Sequence, residues 1–123
     1  MKSTDSIVYL IEDDEGSLAS TECLLGVHGF RTKSFASAEQ FFDETVEEPT
    51  GCIVTDLVLP GMSGLELFER TRELGWKIPF IMLTAFGDVP SAVQALRSGI
   101  LDFLEKPFPS QRLIQSVSEC LSK

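Results

Sequence analysis

The chain has 123 residues, 43% of them hydrophobic, which is about one domain's length with enough apolar material for one packed core. With 19 acidic residues against 10 Lys and Arg the formal charge is −9, which opposes attraction to nucleic-acid phosphates or an anionic bilayer, so neither direct DNA binding nor membrane association is expected. No apolar run approaches the roughly 20 residues of a spanning helix, and Met1-Lys2-Ser3-Thr4-Asp5-Ser6 has no apolar signal core, so the expected location is cytoplasmic.

Short β-branched or apolar runs at Ile7 to Ile11, Arg31 to Phe35, Cys52 to Thr55, Ile78 to Leu83 and Ile100 to Leu104 predict five strands. Between them lie helical patterns. The first runs from about Gly16 to Val27, with Leu18, Cys23, Leu24 and Leu25 as its core stripe and His28-Gly29 closing it. The second follows Ser37, whose capping-box partner is Gln40, and turns Phe41 and Phe42 inward. The third begins after Ser63-Gly64 and carries Leu65, Leu67 and Phe68 to about Gly75. The fourth sets Val89, Val93 and Leu96 on one face before Gly99, and the fifth does the same with Leu113, Val117 and Leu121. Trp76, in the polar Gly75-Trp76-Lys77 connection, is expected half-exposed. Cys23, Cys52 and Cys120, odd in number and unevenly spaced, read as buried or half-buried free thiols.

Strands alternating with crossover helices are parallel, and right-handed crossovers place helices on both faces of the sheet. The expected fold is therefore a doubly wound α/β sandwich, in which function sits beyond the carboxyl ends of the strands. Those ends are informative: Glu12-Asp13-Asp14-Glu15 after the first strand, Thr55-Asp56 after the third, Thr84-Ala85 after the fourth, Glu105-Lys106-Pro107 after the fifth. Carboxylates converging there repel by about 4 kcal/mol per pair at roughly 4 Å and an effective dielectric of about 20, unless a cation joins them. Oxygen-only ligands suit Mg²⁺. A carboxylate such as Asp56, flanked by Mg²⁺, the Lys106 ammonium and the Thr84 hydroxyl, is set to attack phosphorus.

These residues carry a resemblance. The acidic cluster, Asp56 in Val54-Thr55-Asp56-Leu57 with Pro60-Gly61-Met62-Ser63-Gly64 following, Thr84-Ala85, and Lys106-Pro107-Phe108, in that order, resemble the receiver domain of two-component response regulators over the whole chain. Gly87-Asp88-Val89-Pro90 and Asp102-Phe103-Leu104-Glu105-Lys106-Pro107-Phe108 look most like the FixJ-type subgroup, whose members usually carry a helix-turn-helix DNA-binding domain after the receiver. The resemblance implies a flavodoxin-like (βα)5 fold with strand order 2-1-3-4-5 and a single receiver domain over residues 1–123, any output domain lying outside this chain.

It also implies roles. Asp56 is the phosphoacceptor; Mg²⁺, with Mn²⁺ able to substitute, is held by Asp13, Asp56 and the backbone carbonyl of Val58, and by Glu12 through water. Counting back from His28-Gly29-Phe30 makes Glu12 and Asp13 the family's acidic pair and leaves Asp14 outside it, free to serve the first helix's positive end. Lys106 pairs with the phosphoryl group, and the Lys106-Pro107 bond is cis. Thr84 is the switch hydroxyl and Phe103 the switch aromatic, and the surface they alter is fourth helix, fifth strand and fifth helix. Val58 and Phe86, at positions that tune kinetics, are apolar and cannot orient a water, which implies a long-lived phosphoaspartate. The implied partners are a sensor histidine kinase and, after phosphorylation, a second copy of the chain. The domain is a switch with self-phosphorylation and autodephosphorylation activity, not a turnover enzyme.

Three rival functions share parts of this pattern. A flavodoxin-like electron carrier needs a hydroxyl- and Gly-rich phosphate loop where this chain has four carboxylates. An aspartate phosphatase needs a second acid two residues after its nucleophile, where this chain has Val58. A degenerate receiver acting as a phosphorylation-independent docking module is the remaining alternative.

Overall fold

The computed structural model describes residues 6–84 and 99–122. The fourth predicted helix, with Val89, Val93 and Leu96, and the positions Ala85, Phe86 and Gly87 to Pro90 lie outside the described residues. The described elements are β1 (Ile7–Ile11), α1 (Glu15–Val27), β2 (Thr32–Phe35), α2 (Ala38–Glu44), β3 (Gly51–Asp56), α3 (Gly64–Glu73), β4 (Phe80–Thr84), β5 (Asp102–Glu105) and α4 (Ser110–Leu121), the last being the fifth predicted helix.

The strands form one sheet in the order β2-β1-β3-β4-β5, every pair parallel. Because side chains alternate along a strand, each central strand feeds two cores. Tyr9, Ile11, Ile53, Phe80 and Met82 face one layer, with Phe41 of α2 and Leu67 and Phe68 of α3. Val8, Leu10, Cys52, Val54, Ile81 and Leu83 face the other, with Leu25 of α1 and Leu113, Val117 and Cys120 of α4. This is the doubly wound flavodoxin-like fold with the expected strand order. β4, central and buried at all five positions, shows why such strands read as unbroken apolar runs.

Several local expectations change. The fourth strand starts at Phe80, not Ile78, because Pro79 has no N–H for a ladder, although its carbonyl accepts from Ile53 N–H. Cys23 is exposed, while Cys52 and Cys120 are buried. Two positions along a helix is a turn of about 200°, so Cys23 points away from Leu25, the one fully buried residue of α1; Leu18 and Leu24 only pack on its edges. Trp76 is buried, closed in by Phe41 and Phe42 with ring centroids 6.4 and 6.2 Å away. At α2, Ser37 Oγ accepts from Gln40 N–H, but Gln40 Oε1 accepts from Ala36 N–H instead of Ser37 N–H. The reciprocal capping box lies at α3, between Ser63 and Glu66, a Ser-x-x-Glu pattern present in the sequence.

Candidate active site

Parallel pairing places the carboxyl ends of β1, β3, β4 and β5 on one edge, and the side chains there converge. Carboxylate oxygens of Glu12, Asp13 and Asp56 lie within 4.8 Å of one another. Glu12 is buried, Asp56 half-buried and Asp13 exposed, a gradient from the interior of the edge to solvent. Asp14 stands apart as the N-cap of α1, accepting from Ser17 N–H at 2.8 Å, and that backbone bond holds its carboxyl below the usual range.

Lys106 reaches this cluster from just beyond the carboxyl end of β5. Its Nζ donates to Glu12 Oε1 at 3.2 Å and to Asp56 Oδ2 at 3.2 Å, and lies 3.0 Å from Asp56 Oδ1 without hydrogen-bond geometry to it. The Lys106–Pro107 bond is cis, and Lys106 N–H is anchored on the carbonyl of Thr84 at 2.8 Å. Thr84 ends β4 and is buried. Phe103, on the neighbouring strand, is partly buried against the α2/α3 core layer. Val58 is 69% exposed just beyond Asp56, and Phe86 lies outside the described residues.

Electrostatics follow from this crowding. Burial, and then the Glu12 carboxyl beside it, push Asp56 up to about 7 against the opposing pull of Lys106. Burial alone would lower the Lys106 ammonium, but its contacts with Asp56 and Glu12 raise it above the ordinary lysine range. Asp56 Oδ1 is a buried carboxylate oxygen that receives no hydrogen bond, a costly arrangement unless something else satisfies it. Three clustered carboxylates with one such oxygen are the donor chemistry of a hard divalent cation. An open hollow of about 730 Å³ continues from the site along α1, bordered by Ser17, Ser20, Thr21, Pro107 and Phe108.

The sequence assigns no role to two further features, one beside Asp56 and one at the amino end of β5. Gly64 N–H donates to the Leu57 carbonyl at 2.8 Å, and a Cβ at position 64 would stand 2.1 Å from the Asp56 carbonyl oxygen, so only glycine lets α3 start this close to β3. Asp102, at the entry of β5, accepts from both Nη atoms of Arg112 at 2.7 and 3.0 Å, from Ser116 Oγ at 2.7 Å and from Phe103 N–H at 2.8 Å, which ties β5 to α4. A Gly after an N-cap serine was the available signal for the first; nothing local marks the second.

A parallel sheet whose carboxyl edge gathers two further acids and a lysine around Asp56 defines a doubly wound α/β module with its candidate site at the strand ends. The chain belongs to the response regulator receiver domain family, which matches residues 8–118. It is 40% identical over 114 residues to the transcriptional regulatory protein FixJ of Rhizobium meliloti (strain 1021), covering 93% of this chain and 56% of that one. It is 35% identical over 121 residues to the response regulator protein TmoT of Ectopseudomonas mendocina, covering 98% of this chain and 55% of that one. The chain thus spans about half the length of these curated relatives. Among solved structures, FixJ-N superposes with a TM-score of 0.90 at 37% identity, covering 98% of this chain and 96% of that one. Full-length FixJ from B. japonicum superposes with a TM-score of 0.86 at 34% identity, covering 98% and 59%. Among the described residues no helix is long and apolar enough to cross a membrane.

Proposed function

We propose that this receiver domain takes a phosphoryl group from the phosphohistidine of a sensor histidine kinase onto Asp56, in the cytoplasm and with Mg²⁺, and later returns it to water. The observation that carries this reading is the buried, hydrogen-bond-free Oδ1 of Asp56 beside Lys106 and two further carboxylates. In transfer, an Asp56 carboxylate oxygen forms a bond to phosphorus while the phosphorus–nitrogen bond breaks and its electron pair returns to the imidazole. Asp13, Asp56 and the Val58 carbonyl would hold the cation, with Glu12 supporting through water; when bound, Mg²⁺ supplies positive charge opposite the phosphoryl oxygens. Lys106 supplies a second positive charge, now spent on Asp56 and Glu12 and able to turn to a phosphoryl oxygen. Thr84, at the end of β4, supplies a hydroxyl.

The signal then passes outward. Thr84 moves to a phosphoryl oxygen, Phe103 turns into the space it leaves, and the face formed by the fourth predicted helix, β5 and α4 changes. Phe103 has no hydroxyl, so packing alone sets its two positions. The face governs homodimerisation or an output segment, transcriptional as in the relative named transcriptional regulatory protein FixJ. The shift can be no larger than the phosphoryl group's differential interaction with the two states.

Intact mass after incubation with acetyl phosphate and Mg²⁺ tests the proposal. A single phosphoryl adduct is expected, absent in Asp56→Asn and absent with a chelator. No adduct together with no Mg²⁺ binding would leave the docking-module alternative.

A further inference from the structure

The β3–α3 connection, residues 57–63, follows Asp56 and includes Val58, whose carbonyl is assigned to the cation above. Its two ends are pinned by main-chain bonds: Leu57 N–H to the Leu83 carbonyl at 2.7 Å, and Gly64 N–H to the Leu57 carbonyl at 2.8 Å. Leu59 is buried and Met62 partly buried beneath it, while Val58, Pro60 and Gly61 face solvent. One side chain from elsewhere in the fold grips the turn. Glu39, in the first turn of α2, accepts a hydrogen bond from Met62 N–H at 2.9 Å across 23 residues of sequence. Gly61 has φ +75°, and a Cβ there would stand 2.6 Å from Glu39 Oε2, so the carboxylate is seated against the bare glycine backbone as well as on the neighbouring amide.

A glutamate at this helix position ordinarily faces water and favours its own helix's N-terminus. Here it stays exposed but joins α2 to the β3–α3 connection. The bond to Met62 N–H is charge-assisted and holds the Glu39 carboxyl below the usual range. A cation ligand that is a main-chain carbonyl has no side-chain torsion to adjust its position; only the path of its loop can. Groups that fix such a path act on metal affinity without touching the metal.

We infer that Glu39 is a positioning residue for the phosphoacceptor site: by clamping Met62 and Gly61 it fixes the loop that presents the Val58 carbonyl, and so sets the affinity for Mg²⁺. The inference rests on the phosphoacceptor reading. Its test compares Glu39→Ala, which removes the acceptor, with Glu39→Gln, which keeps an acceptor oxygen and removes the charge. Mg²⁺ affinity is measured by titration calorimetry, exchange of the Met62 amide by NMR, and melting temperature alongside. Glu39→Ala is expected to lose Met62 protection and weaken Mg²⁺ about tenfold, while Glu39→Gln keeps both within about twofold. An unchanged Mg²⁺ affinity in Glu39→Ala once Met62 protection is gone overturns the inference. So does an equal weakening in both variants, which would mark a long-range charge effect. A wild type that binds no Mg²⁺ overturns the phosphoacceptor reading with it, which distinguishes the two failures.

Discussion

Lys106 and Asp56, 50 residues apart, meet at 3.0 Å on the carboxyl edge of the sheet, yet the oxygen nearest the ammonium accepts no hydrogen bond. The lysine therefore compensates Asp56 only in part. Asp56 is a half-desolvated acid beside Glu12, and is pushed up to about 7.

That has a consequence for stability without Mg²⁺. Between about pH 4, where a free aspartate titrates, and about pH 7, the folded chain keeps a proton on Asp56 that the unfolded chain has released. The folded state binds more protons, so this group's contribution falls as pH rises through that window and is level above it. Asp56→Asn removes the titration. In chelator at pH 8 the variant is expected to be more stable than wild type by about 2 kcal/mol, with the difference closing toward pH 4. Mg²⁺ should raise the wild type's unfolding midpoint and leave the variant's nearly unchanged. Urea denaturation across pH, with and without Mg²⁺, gives all four curves.

How much of this was legible depends on the range of each interaction. The strands were readable because buried parallel strands are short apolar runs, and once parallel, their carboxyl ends had to meet, which brought Glu12, Asp13, Asp56 and Lys106 together. Asp14 was readable only as an acid at the first helix's positive end; the structure makes it the N-cap, through a bond that closes within three residues. The Glu39 clamp joins residues 23 apart, and Asp102 meets Arg112 and Ser116 on another element. Their partners follow from how layers stack, which no local pattern encodes. Trp76 misled for the same reason, since its neighbours in sequence are polar while its neighbours in space are Phe41 and Phe42.

The Asp102 network makes a pH prediction of the opposite sign. Burial would raise this carboxyl, but the hydrogen bonds from Arg112, Ser116 and Phe103 N–H outweigh it and hold it below the usual range. A depressed acid stabilises the fold above its unfolded-state value and loses that contribution as pH falls through its folded value, here below about pH 4. Arg112 is 44% exposed, so screening trims the gain. Asp102→Asn is expected to cost about 1 kcal/mol at pH 7, with the difference from wild type shrinking below pH 4. Thermal unfolding in acid series measures it.

The three cysteines should separate cleanly in reactivity. Cys23 is exposed on α1, whereas Cys52 and Cys120 are buried together between β3 and α4. The neighbouring Cys120 side chain and burial push the Cys52 thiol well up, and a protonated, inaccessible thiol does not attack a disulfide reagent. A native titration with an aromatic disulfide should release one equivalent quickly and two more only on unfolding, and Cys23→Ser should abolish the fast phase alone.

Two glycines in helices give opposite expectations for the same change. Gly26 sits near the end of α1, and a Cβ there would meet nothing within 4 Å. Alanine costs less backbone entropy, so Gly26→Ala should stabilise by about 0.5–1 kcal/mol. Gly64 opens α3, where the same propensity gain is available, but its Cβ would lie 2.1 Å from the Asp56 carbonyl oxygen and 3.0 Å from Met82 Sδ. Backbone cannot yield as a flexible side chain does, and relieving such a clash by shifting α3 or β3 costs about 1–3 kcal/mol. The clash outweighs propensity, so Gly64→Ala should be destabilising by urea denaturation. Because the displaced atom belongs to Asp56 itself, Gly64→Ala should also weaken Mg²⁺ binding, whereas Gly26→Ala should leave it unchanged.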